Sequence, residues 1–155
     1  NLVNKKGKFN VPCGKYKNPL ILDEKNLLNV SRILKDVKIL NDDFEIIGKY
    51  VDEYTFVYLD PPYRPLNTTS SFTSYNEFAF ADSEQIRLAE FYHELDRKGG
   101  KLMLSNSDPK NMDKNDDFFD KLYKEFNIHR VEARRNINSR AEKRGCVSEL
   151  LILNY

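Results

Sequence analysis

The 155-residue chain is 40% hydrophobic and includes ten Phe and nine Tyr, enough to close one core and to exclude a disordered tail. Its 25 basic and 24 acidic residues leave a net charge of +1, so total charge selects no partner. Only Cys13 and Cys146 occur, far apart and outside any CxxC pair; this argues against a zinc site or disulfide framework and for a reducing, cytoplasmic setting, and no apolar run reaches membrane-spanning length.

Read from the amino end, residues 1–19 are punctuated by Gly, Pro and Asn, and LVNKKGKFNV predicts two extended arms joined by a Lys-Lys-Gly turn. It reads as a basic hairpin, and the first eighteen residues carry Lys5, Lys6, Lys8, Lys15 and Lys17 without an acid. Asp23 is an N-cap candidate, and Leu27, Leu28, Ile33 and Leu34 recur near helical spacing, which predicts a helix from Glu24 to Leu34. A short strand over residues 37–40 should follow. The run YTFVYLD, aromatic and β-branched, predicts a buried strand ended by two prolines, and behind it lies a long hydroxyl-rich loop, RPLNTTSSFTSYNEFAF.

Asp82 with Gln85 three residues later makes a capping box for a helix, SEQIRLAEFYHELDRK, that stops at Gly99 and Gly100. KLMLSN reads as a second buried strand, DDFFDKLYKEF as a short amphipathic helix with acids in its first turn, and IHRVEARR and SELLILNY as closing strands. A second basic stretch, from Arg130 and Arg134 to Lys143 and Arg144, can be solvated surface or a polyanion contact. Strands alternating with helices imply an α/β fold with a mostly parallel sheet and an antiparallel terminal pair.

Most chemical motifs fail at a required position. Asp113, Asn115 and Asp117 imitate a calcium loop, yet Phe118 stands where Gly is needed and Lys124 where a bidentate Glu should close the loop, so these acids read as helix caps. Gly14-Lys15 has Phe9 in place of the phosphate-loop glycine, and no GxGxxG occurs. His93 and His129 have no serine elbow or cysteine partner at a recognisable spacing. Neither a hydrolytic triad nor a metal is indicated.

The stretch DPPY, residues 60–63, remains. It can be a plain strand end with a proline turn. Open α/β sheets, however, bind ligands at the carboxyl ends of their strands, where Asp60 would emerge. Pro61 and Pro62 have no N–H to donate, Asp60 supplies only acceptors near neutral pH, and Tyr63 adds a flat face. Those residue types suit a planar base with an exocyclic amine, stacked on Tyr63 while its NH2 bonds to Asp60 and a proline carbonyl.

With these residues in view, the chain resembles the Dam-like DNA adenine methyltransferases, which act on GATC sites. The markers run along nearly the whole chain: GKFNVPCGKYKNP, NDDF, DPPYRPL, SFTSYN, LSNSDP, and RRNINS followed by SELL. The resemblance implies methyl transfer from S-adenosylmethionine to adenine N6 in double-stranded DNA, with the base flipped and no metal, in a restriction-modification or Dam-like system. It implies Asp60, Pro61, Pro62 and Tyr63 as catalytic residues, and Asp43, Phe44 and Asp60 as cofactor contacts. It puts Asn4, Lys6, Lys8, Asn10, Pro12, Lys15, Ser74, Tyr75, Arg135 and Arg140 on the DNA side. Lys15 stands where family members often have Arg, which keeps a phosphate contact and weakens bidentate readout. SRAEKRG replaces a common Asn-Gly turn.

By the same resemblance, residues 1–22 are a remnant of the target-recognition module and residues 23–155 the carboxy-terminal part of a partial Rossmann-like catalytic domain. The family's Gly-rich cofactor loop precedes the block that opens this chain. The expectation is therefore a fragment inactive alone, partnered by an amino-terminal half, with a gap in its sheet between the 37–40 strand and the Phe56 strand. The competing readings are a non-catalytic nucleic-acid-binding or degenerate subunit and an amine methyltransferase acting on RNA or a protein glutamine. Asp before the prolines and the basic hairpin argue against the protein substrate.

Overall fold

The computed structural model describes residue 17 and residues 20–65, 80–134 and 146–155. The predicted amino-terminal hairpin and most of the hydroxyl-rich loop lie outside the described residues. The chain divides into two compact units, Asn1–Asp42 and Asp43–Tyr155. In the first, α1 (Glu24–Leu34) has the predicted bounds, and its N-cap Asp23 accepts a hydrogen bond from the Asn26 N–H at 3.1 Å. Residues 37–40 form no strand; the chain turns irregularly there, and with that strand goes the expected gap in the sheet.

The second unit begins with a 3₁₀ helix, Phe44–Tyr50, followed by β1 (Phe56–Leu59), α2 (Asp82–Arg97) and β2 (Lys101–Ser107). After a short 3₁₀ turn, Pro109–Asn111, come α3 (Phe118–Leu122), β3 (Asn127–Arg134) and β4 (Cys146–Leu153). These strands form one sheet in the order β1-β2-β4-β3. The β1–α2–β2 crossover gives a parallel pair, in which Val57 sits beside Leu102 and Leu59 beside Leu104. The terminal strands are antiparallel, as expected, but β4 inserts between β2 and β3 and is antiparallel to both. Among the described strands the sheet is therefore mixed, with one parallel junction of three, and not mostly parallel; β1 is its edge.

One face of the sheet builds the core. Val57 and Leu59 of β1, Leu102 and Leu104 of β2, and Leu150 and Ile152 of β4 meet Leu88, Phe91, Tyr92 and Leu95 of α2, with Phe119 and Tyr123 closing the end. The α2 residues recur at helical spacing, and their burial rather than propensity fixes the helix on the sheet. The helix stops where predicted: Gly99 takes φ +84°, a conformation that favours glycine, and a Cβ on Gly100 would come within 2.7 Å of Val51 Cγ1. β1 and β2 thus end side by side at one edge of a packed sheet, each fixed by alternate inward residues.

The start of α2 departs from the prediction. Ala81 is its N-cap and makes no side-chain cap bond; Asp82 is the first helical residue. The Asp82 and Gln85 side chains that were to form a capping box are drawn away to the loop after β1. The acids before α3 differ too: Asp117 is its N-cap without a side-chain cap bond, while Asp116 accepts from the Phe118 N–H at 3.1 Å.

Candidate active site

β1 ends at Leu59, so Asp60 emerges at the carboxyl end of the strand, beside the carboxyl end of its parallel neighbour β2. The two prolines that follow have no N–H groups. At those two positions the loop can be held only through carbonyls. The polar end of β2 and the first turn of α2 do this with buried amides.

Gln85 Nε2 donates to the Pro62 carbonyl at 3.0 Å, and Asn106 Nδ2 donates to Gln85 Oε1 at 3.0 Å. Asn106 Oδ1 accepts from the Arg64 N–H at 3.0 Å and from the Ser107 N–H at 2.9 Å. Ser107 Oγ donates to the Arg64 carbonyl at 2.6 Å. Gln85 and Asn106 are both completely buried, so each bond stands in a site without competing solvent.

The Arg64 side chain continues the clamp. Its guanidinium pairs with both oxygens of Asp82 at 2.8 and 3.0 Å and with Asp116 at 2.8 Å, and it lies 4.3 Å over the Phe118 ring. The Asp82 bonds hold the Arg64 charge above its already high ordinary value. Burial pushes the Asp116 carboxyl up, but the bond from Arg64, the Phe118 N–H and the Arg64 charge together outweigh it and leave it below the ordinary range.

Asp60 itself meets Ser105 on β2. Ser105 Oγ donates to Asp60 Oδ1 at 3.1 Å and lies 3.0 Å from the Tyr58 hydroxyl. Among the described residues neither Asp60 Oδ2 nor the Pro61 carbonyl has a hydrogen bond, whereas Oδ1 and the Pro62 carbonyl are committed. Burial pushes the Tyr63 hydroxyl above its ordinary value; a bond to Ser105 opposes this and the charges of Glu149 and Asp60 add to it, so Tyr63 is neutral. Asp60, Pro61 and Pro62 line a cavity of about 260 Å³ together with Tyr58, Phe44 and Phe80.

Phe44 opens the 3₁₀ helix and packs against Phe91 and Phe80, with ring centroids 5.6 and 6.3 Å away. Asp43 caps the same turn through the Glu45 N–H at 3.0 Å. Its carboxylate is held by Arg87 of α2 in a two-pronged pair at 3.0 and 2.8 Å. Arg87 also reaches Glu45 and Glu84 and lies 4.2 Å over the Phe44 ring. The Arg87 bond, helped by the Glu45 N–H, lowers the Asp43 carboxyl from 3.8 to about 2.

Of the predicted site residues, the structure therefore brings Phe44, Asp60, Pro61 and Pro62 to one cavity, sets Tyr63 beside it, and holds Asp43 on Arg87. Asn4, Lys6, Lys8, Asn10, Pro12, Lys15, Ser74, Tyr75, Arg135 and Arg140 lie outside the described residues. Sequence reasoning missed Tyr58, Arg64, Gln85, Arg87, Ser105 and Asn106. One available signal was the buried strand KLML passing without a turn into the polar run SNSD. Among the described residues no cluster of His, Cys, Asp or Glu could hold a metal ion, and no helix is long and apolar enough to cross a membrane.

The family model for D12 class N6 adenine-specific DNA methyltransferase matches residues 1–137. The chain is 61% identical over 154 residues to Type II methyltransferase M.MjaIII of Methanocaldococcus jannaschii, covering 99% of this chain and 51% of that protein. It is 42% identical to Type II methyltransferase M1.LlaDCHI of Lactococcus lactis subsp. cremoris, over 99% of this chain and 52% of the relative. It is 31% identical to the DNA adenine methylase of Escherichia coli, over 97% of this chain and 51% of the relative. The chain thus spans about half the length of the curated relatives it matches.

Two outcomes follow from this geometry. Gln85→Leu leaves the buried Asn106 Nδ2 without its partner, a cost of about 1–3 kcal/mol, and releases the Pro62 carbonyl, so urea unfolding should show a loss of that size; an unchanged midpoint contradicts the clamp. For Asp43, whose folded value lies below 3.8, the stabilisation is complete above pH 4 and is lost as pH falls through about 2. Thermal melts of Arg87→Gln should accordingly lose less between pH 4 and pH 2 than the parent chain does, and an equal loss would refute the pairing.

Proposed function

Because the chain belongs to the D12 class N6 adenine-specific DNA methyltransferase family, we propose that the protein carrying it transfers a methyl group from S-adenosylmethionine to adenine N6 in double-stranded DNA. The observation that carries this reading is the sharing of one cavity by Phe44, assigned to the cofactor, and Asp60 and Pro61, assigned to the acceptor amine. The uncommitted acceptors at that cavity, Asp60 Oδ2 and the Pro61 carbonyl, match the two protons of an exocyclic amine. Pro62 serves the loop through its carbonyl, and Tyr63 offers its ring face to a base flipped from the duplex.

The residues fit the donor as well. Phe44 and Phe80 give the cavity an aromatic wall for a nucleoside, and Asp60 gives it a carboxylate for a nearby cation; Asp43, Phe44 and Asp60 would hold the group. S-adenosylmethionine supplies an activated methyl on a good leaving group, so no metal is needed. The chain's own contribution is positioning and charge. Hydrogen bonds from both amine protons, to Asp60 Oδ2 and the Pro61 carbonyl, favour a tetrahedral nitrogen and localise its lone pair toward the methyl carbon. The Asp60 carboxylate then stabilises the positive charge that develops on N6.

In this proposal the DNA side is formed by Asn4, Lys6, Lys8, Asn10, Pro12 and Lys15, by Ser74 and Tyr75, and by Arg135 and Arg140. Their phosphate contacts set affinity and register, and the target site is GATC. The names of the relatives support a role in restriction-modification or in DNA adenine methylation generally; the proposed setting is the cytoplasm.

In the full-length protein, Asp60→Ala should lower methyl transfer to a GATC duplex by roughly 10²–10³-fold or more, while duplex affinity by fluorescence anisotropy stays within about threefold. Near-parent turnover would remove Asp60 from the chemistry. A parent protein that binds the duplex without methylating it would favour a non-catalytic subunit.

A further inference from the structure

Ser105 stands between Tyr58 and Asp60. It lies on β2, is 7% exposed, and bonds to both side chains. A hydroxyl has one proton to give, and that of Ser105 goes to Asp60 Oδ1. The 3.0 Å contact with Tyr58 therefore runs the other way, from the Tyr58 hydroxyl to Ser105 Oγ. The chain of bonds has a direction: Tyr58 to Ser105 to Asp60.

We propose that Ser105 is a positioning residue for the acceptor amine, oriented by Tyr58, and that it commits Oδ1 of Asp60 so that Oδ2 alone is presented to the substrate. The inference rests on the proposed methyl transfer. A carboxylate free to rotate would offer either oxygen at any angle to the amine. With Oδ1 tied to β2, the plane of the group is set by a packed strand rather than by the proline loop alone. Register supports this: Tyr58 pairs with Met103 across the parallel junction, one place short of Leu59 and Leu104, so the bonds between β1 and β2 lie directly beneath Asp60 and Ser105. The second oxygen and the Pro61 carbonyl then form a fixed two-acceptor pair at the cavity.

The arrangement predicts a separation of turnover from binding. In the full-length protein, Ser105→Ala should lower kcat roughly 10- to 100-fold, while the affinity for a GATC duplex and the fluorescence rise of 2-aminopurine at the target position stay near parent values. Ser105→Thr, which keeps the hydroxyl, should restore most of kcat. Tyr58→Phe should lose roughly three- to tenfold, and Tyr58→Phe in the Ser105→Ala background should lose nothing more, because Tyr58 acts through Ser105. The inference is overturned if Ser105→Ala retains kcat within twofold, or if the two losses multiply. Should Ser105→Ala fail to fold, the Tyr58→Phe and Ser105→Thr values decide by the same criteria. Parent activity on duplexes with and without the target adenine tests the methyl-transfer reading itself, separately from the variant-to-parent ratios.

Discussion

The buried amide pair of Gln85 and Asn106 is the constraint on which the rest of the site depends. Two consecutive prolines after a strand leave the start of that loop without N–H donors, so the usual backbone ladder cannot hold it there. The chain substitutes side-chain amides, each both donor and acceptor: one end takes the Pro62 carbonyl, the other the Arg64 N–H, and the two amides bond to each other between them. No charge is buried in this link, so it avoids the desolvation cost of an ion pair. It explains why Asn106 continues a core strand as a fully buried polar residue.

Around that link the molecule distributes acceptors unevenly. The Pro62 carbonyl and Oδ1 of Asp60 are spent on structure, and the Pro61 carbonyl and Oδ2 have no hydrogen bond among the described residues. The two arginines play parallel parts on either side. Arg64 ties the loop to the first turn of α2 and to the residues before α3. Arg87, one helical turn further along α2 from Glu84, ties that helix to Asp43 and the Phe44 turn. Both guanidiniums also cover an aromatic ring, so each joins charge pairing to packing. α2 is thus the common beam to which both the acceptor loop and the Phe44 turn are fastened.

Much of this was legible in the chain. Asp23 before an amphipathic run fixed α1, the Gly99-Gly100 pair fixed the end of α2, and the aromatic run before DPPY delivered Asp60 to the strand end. The failures share a cause. Asp82 and Gln85 have the spacing of a capping box, but tertiary partners outbid the local bond: Arg64 takes one side chain, Pro62 and Asn106 the other. Residues 37–40 alternate like a strand, yet pattern alone gives no pairing partner. The insertion of β4 between β2 and β3 is set by non-local register, which spacing along the chain does not encode. Ser105 escaped notice because a serine in a family marker, LSNSDP, says nothing of which carboxylate it will meet.

The most direct test of a preformed two-acceptor site is the crystal structure of the full-length protein with a GATC duplex and a non-reactive analogue of the methyl donor. The account predicts the adenine N6 within about 3.2 Å of both Asp60 Oδ2 and the Pro61 carbonyl, with Ser105 still on Oδ1 and Gln85 still on Pro62. An N6 bonded to Oδ1 or to the Pro62 carbonyl, or an Asp60 turned away from Ser105 in the complex, would contradict it.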